Sequence, residues 1–144
     1  MNPNLLVVQS KVQKILSNEF NHVEIDKDGD FTFRHESARV FVRVWTPADD
    51  GPVYITVTCP LLFNVKPTPE LFKYIALHAD DYVFGHLSAS ETEDGIMVTL
   101  AHSLLGDYLD QDELVRGCAG VLFSGNEIDD DLKARFGGTL FHEE

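Results

Sequence analysis

The sequence predicts an α+β fold. A twisted antiparallel sheet packs against helices in the order α-β-β-β-β-α-β-β-α, within a single domain spanning residues 1–144. Three observations predict it. Residues 39–45 and 53–59 both alternate with period two around a turn. Three further segments carry apolar residues at helical spacing behind a capping residue. The remaining apolar runs are short and joined by Asp-Gly turns.

Taking the chain in order, Asn4 or Asn2 caps a first helix running to about Asn18, with Pro3 in its first turn. Leu5, Val8, Val12, Ile15 and Leu16 form its stripe, and Leu6 and Val7 widen the start, as core or as interface. Val23–Asp26 and Phe31–Arg34 make a small hairpin. Its turn superficially resembles a calcium loop, but an EF-hand starting at Asp26 needs Gly and Glu where Phe31 and Ser37 stand.

The central pair follows. Arg-Val-Phe-Val-Arg-Val-Trp (39–45) and Val-Tyr-Ile-Thr-Val-Thr-Cys (53–59) flank a turn with Asp50-Gly51 and two prolines. Val40, Val42, Val44, Val53, Ile55 and Val57 share a core face, while Arg39, Phe41, Arg43, Trp45, Tyr54, Thr56 and Thr58 share the other. Cys59-Pro60 is expected to end the strand. Thr68 caps a second helix with Pro69 at its first position and Glu70 suited to the helix dipole, and this apolar helix ends near Asp80. A second hairpin covers Tyr82–Ser88 and Ile96–His102, with Ile96, Val98 and Leu100 turned inward. Asp110 to Glu113 is a capping box opening a last helix whose stripe is Leu114, Cys118, Val121, Leu122, Ile128 and Leu132. Gly137-Gly138 stops it, and Gly125 kinks it or admits a close neighbour. Asp129-Asp130-Asp131 reads as a solvated face, and the tail from Thr139 to Glu144 as loose.

Charge excludes some functions. The net charge is -13 from 11 basic and 24 acidic residues, which disfavours nucleic acid and anionic membrane as partners. Residues 1–45 are balanced, so the excess falls entirely on residues 46–144. It serves solubility, repels copies, or attracts a basic partner. Cys59 and Cys118 make no disulfide framework and read as small buried hydrophobes of a reducing cytoplasm. Neither a signal peptide nor a membrane span is apparent.

No catalytic motif is present. The six histidines, His22, His35, His78, His86, His102 and His142, lack metal-site spacing, so no cofactor and no metal is expected. An alternative is a small metal-dependent or other hydrolytic enzyme whose site folding assembles from His78 with Asp81, or His86 opposite His102. Another is a structural subunit that dimerises through the first or last helix. The better lead is the outward face of the central pair. Trp, Tyr and Arg are enriched at binding hot spots, so Arg39, Phe41, Arg43, Trp45 and Tyr54 are the candidate client-binding residues. Either this face is open or a helix covers it as a second core, where the two arginines would need partners.

The element order and acidity, with segments such as Phe41-Val42-Arg43-Val44-Trp45 and Pro69-Glu70-Leu71-Phe72, resemble the type III secretion chaperone-like fold, in particular its bacterial YbjN or TY-chaperone branch. The resemblance covers about Leu5 to Phe136. It implies a non-enzymatic, cytoplasmic, often homodimeric protein that binds an extended segment of a client protein or acts as a regulatory binding module. It carries no fixed ligand residues across.

Overall fold

The computed structural model describes residues 2–141. Helix α1 (Pro3–Glu19) leads into strands β1 (Glu24–Ile25), β2 (Phe31–His35), β3 (Ala38–Trp45) and β4 (Tyr54–Val65). Helix α2 (Pro69–His78), strands β5 (His86–Thr92) and β6 (Gly95–Leu105), helix α3 (Gln111–Phe136) and strand β7 (Thr139–Leu140) complete it. The order is the expected one with a seventh strand added. The strands form one antiparallel sheet ordered β1-β2-β3-β4-β6-β5, with β7 alongside β4.

The helix starts follow from local chemistry. Asn2, the second of the two candidates, caps α1 by accepting the Asn4 N–H at 2.9 Å. Thr68 caps α2 through the Leu71 N–H at 3.2 Å. Asp110 caps α3 but accepts from Asp112 at 2.8 Å, one residue short of the capping-box partner.

Period-two patterning divides the sheet cleanly. Val40, Val42, Val44, Val53, Ile55, Val57 and Cys59 are buried under α1 and α3, joined there by Ile96, Val98 and Leu100 of β6. Helix α3 runs unbroken across this face because Gly125 admits a neighbour: a methyl group there would sit 2.5 Å from Cys59 Sγ. Both thiols are buried, and burial pushes each up to about 12, with the charge of Asp129 adding to the effect at Cys59.

Four expectations are corrected. Strand β4 does not end at Cys59-Pro60 but continues to Val65, with one extra residue between Pro60 and Leu62 and another between Leu62 and Val65. Proline is tolerated because pairing with β3 stops at Thr58 and pairing with β7 starts at Leu62, so Pro60 falls between partners on that side. The tail is not loose over Thr139–Leu140. Gly137 and Gly138, at φ +76° and +85°, turn the chain back, Leu140 is buried, and Phe141 follows. Residues 142–144 of that expectation, His142 included, lie outside the described residues. Residues 82–85 do not join the hairpin, since Phe84 turns onto α3 at Gly120 and meets His102 edge-on at 5.6 Å.

The fourth correction concerns Asp129, which is only 4% exposed. Its carboxylate accepts from the Ser37 hydroxyl at 2.7 Å, while Asn126 Oδ1 accepts from the Ser37 N–H at 3.1 Å. Asn126 in turn donates to Glu36 at 2.7 Å. This network ties the β2–β3 turn to α3. Replacing Asp129 by Ala removes the tie to Ser37, whose hydroxyl retains Asn126 Oδ1 at 2.8 Å as an acceptor, and should lower unfolding free energy in urea titration by about 1 kcal/mol. Asp130→Ala, on the exposed side, serves as the neutral comparison.

Candidate functional site

Among the described residues, no helix lies on the other face of the sheet. Direct cross-strand pairing sets out its side chains in rows. Trp45, Tyr54 and Leu105 stand opposite one another across β3, β4 and β6. Arg43, Thr56 and Ser103 form the next row, and Phe41, Thr58 and Ala101 the one after. Between them lies a cleft of about 510 Å³ lined by Asp30, Phe41, Arg43, Trp45, Thr56 and Thr58.

The five sequence-predicted residues therefore share one face, although not in one state. Trp45 is 40% exposed, its ring 5.2 Å from that of Tyr54, and its indole N–H donates to Thr56 Oγ1 at 3.0 Å. That bond uses the indole's only donor, and the part of the ring not packed on Tyr54 remains exposed. Phe41 is half-buried, meeting Phe141 edge-on at 5.7 Å. Phe63 lies 6.0 Å from the same Phe141 ring, so the residue that follows the C-terminal strand packs beside Phe41.

Arg43 is engaged by Asp30, Nε to Oδ1 at 2.9 Å and the fork completed at 3.0 Å. This hydrogen bond, with the charges of Asp30, Asp28 and Asp26, holds the guanidinium above its ordinary value. Asp26 in turn accepts from the N–H groups of Asp28 and Asp30, which fixes the turn that presents Asp30. Arg39 points along the sheet, donating to Thr32 Oγ1 at 3.1 Å.

Sequence reasoning missed Asp30 and Leu105. Asp30 looked like a turn residue, and its distance from Arg43 in the chain hid the pairing. Leu105 lies at the end of β6, beyond the part of the hairpin that patterning delimited, and only the β4–β6 register places it beside Tyr54.

The alternative histidine site does not assemble. His86 stands opposite Ala101, so it faces the open side while His102 faces α3. His78 and Asp81 do meet, at 2.7 Å, but at the exposed end of α2. Among the described residues, no group of three or more His, Cys, Asp and Glu is placed to hold a metal.

His102 has a different consequence. Burial beneath α3 holds it below its ordinary value of 6.5, His86 acts in the same direction, and Glu113 opposes both. The unfolded chain therefore takes up a proton that the fold resists. Stability should be full above about pH 6.5 and decline as pH falls through that value. Urea titrations at about pH 7.5 and pH 5.5 check this, and His102→Gln should flatten the difference.

One sheet face backed by helices, with an aromatic cleft on the other, defines an open-faced α+β scaffold. The family described as TY-Chap1, the T3SS (YopN, CesT) and YbjN peptide-binding chaperone 1, matches residues 7–144, and the chain belongs to it. Its role is therefore that of a peptide-binding, chaperone-like protein. Among solved structures, the crystal structure of the ExsC–ExsE complex matches with a TM-score of 0.57 at 14% identity, covering 90% of this chain and 96% of that one, a likeness of fold. No curated protein matches the sequence.

Proposed function

We propose that the open sheet face is the peptide site, and that an extended client segment lies on it along β3 and β4. One observation carries this reading: the cleft over Phe41, Thr56, Thr58 and Trp45 is floored by strands and, among the described residues, covered by no helix. Phe41, Trp45, Tyr54 and Leu105 supply apolar anchors, and threonine hydroxyls supply adaptable polar contacts between them. Arg43 holds the cleft wall through Asp30, and Arg39 remains to orient the client.

The protein works by binding and not by catalysis, as a single domain over residues 1–144 in a bacterial cytoplasm. No helix among the described residues is long and apolar enough to cross a membrane. We place the homodimer contact away from the cleft, on the apolar helix α2, where Phe72 and Leu77 are 44% and 66% exposed. The ExsC–ExsE match supports a protein partner, because that fold is seen there in a complex.

Trp45 is the only tryptophan and reports on the site directly. Its emission should be red-shifted and readily quenched by iodide in the free protein. Reduced, carboxymethylated lactalbumin, a permanently unfolded chain, should shift it to the blue and protect it. A blue, unquenchable Trp45 in the free protein sinks the reading.

A further inference from the structure

Resting on that reading of the open face, we propose that Arg34 and Arg39 form an anionic anchor in the peptide site. The client segment then carries a side-chain carboxylate two residues from the apolar residue that meets Phe41. The same carboxylate lies six residues from the apolar residue that meets Trp45.

Arg34 and Arg39 are direct cross-strand partners on β2 and β3, so both side chains stand on the open face. Like charges placed directly opposite destabilise a sheet. The arrangement is conspicuous in a chain with 24 acidic and only 11 basic residues, where carboxylates to relieve it are plentiful. Asp30 relieves Arg43 in this way. Among the described residues no carboxylate does so for the other two. Arg34 donates from Nε and its second guanidinium nitrogen to the Glu36 carbonyl oxygen at 3.2 and 2.7 Å. Arg39 donates to the Thr32 hydroxyl. Neutral acceptors thus orient both guanidinium groups while no described carboxylate pairs with either charge, which is a prepared site for an anion.

The spacing follows from strand geometry. Arg39, Phe41, Arg43 and Trp45 alternate onto the same face, each about 7 Å from the next. An extended client has the same repeat, so its sheet-facing residues match these positions one for one. Opposite Arg39 it presents a carboxylate, opposite Phe41 an apolar group, opposite the neutralised Arg43 a neutral polar group, and opposite Trp45 a second apolar group. Acidic residues elsewhere on the protein then disfavour every placement of the client that takes its carboxylate away from the arginines, which fixes its direction.

The probe is a labelled peptide, acetylated and amidated so that it has no terminal carboxylate, of sequence Ser-Glu-Ser-Leu-Thr-Ser-Thr-Leu-Ser, read by fluorescence anisotropy. Versions with Gln or Lys in place of Glu are compared with it. The Glu peptide should bind the wild type about tenfold more tightly than the Gln peptide at low salt, and the Lys peptide more weakly still. The gap should close in about 0.5 M salt. In the Arg34→Gln, Arg39→Gln variant the Glu and Gln peptides should bind alike, while dependence on the two leucines persists. Removing a like-charge pair should not unfold the sheet, and the wild-type peptide and salt series stands whether or not the variant folds. Equal binding of Glu and Gln peptides to the wild type overturns the anionic anchor and leaves the peptide site standing. A Glu preference that survives in the variant removes these arginines from the proposal. Failure of every peptide to bind, with Trp45 unprotected, overturns both readings.

Discussion

Replacing Trp45 by Ala should weaken capture of an extended peptide by roughly 30-fold or more, equivalent to about 2 kcal/mol. The ring is the most exposed of the aromatic side chains lining the cleft, and it is held in place from two sides. Tyr54 supports it at 5.2 Å, and the Thr56 hydroxyl fixes the rotation of the indole. An anchor already ordered loses little conformational entropy on binding, so most of its contact area converts to affinity. Phe41→Ala should cost less, because Phe141 already occupies part of its surface. Titration of a fluorescent peptide against each variant gives the ranking, with circular dichroism confirming the fold. Trp45 lies outside the buried core, so Trp45→Ala should stay folded and lose only its cross-strand contact with Tyr54, about 1 kcal/mol or less. If Trp45→Ala retains full affinity, the cleft is not where the peptide lies.

The second large effect is on stability. Gly125→Ala should destabilise the protein by about 2 kcal/mol despite placing the better helix former in α3. Propensity alone favours the change by about 1 kcal/mol. Against it, the added carbon would lie 2.5 Å from Cys59 Sγ, too close for a carbon and a sulfur, so the buried thiol or the elements that carry it must move. Cys59 lies on the central strand of the sheet and is fully buried, so it does not yield cheaply. Cys59→Ala alone leaves a small void and costs about 1 kcal/mol. In Gly125→Ala with Cys59→Ala the new carbon enters the space that sulfur vacated, so the double variant should be more stable than the two single effects predict together. Additive losses in urea titration would show that the clash does not govern the position.

Most of the architecture was legible because its signals are local. Alternation from Arg39 to Thr58 sorts residues onto two faces without reference to anything distant. Thr68, Asp110 and Gly137 each act within a few residues of themselves. The failures came where a distant partner decided the outcome. Pro60 reads as a terminator until β7 is known to take over the edge that β3 leaves. Asp129 reads as one of three solvated carboxylates until Ser37 is brought to it from the β2–β3 turn. Leu71, Phe72 and Leu77 look alike in sequence, yet only Leu71 is buried, because that depends on which side of α2 meets the rest of the fold. For the candidate site, the five residues on β3 and β4 were readable from pattern alone. Their states were not: the pairing of Arg43 with Asp30 and the contact of Phe41 with Phe141 are both products of folding.

The two halves of the sheet face differ in sequence separation, and this sets the order in which they form. Trp45 and Tyr54 lie on adjacent strands joined by a short turn, so their row needs only a local loop to close. The β4–β6 pairing that backs them joins residues 54–65 to residues 96–105 across an intervening helix and strand. Closing that larger loop carries the greater entropic cost and slows folding. The aromatic surface therefore exists in outline on a nascent hairpin before the chain has the rigid platform that makes it a selective one. Refolding followed by Trp45 emission should report early changes, ahead of amide protection in β6.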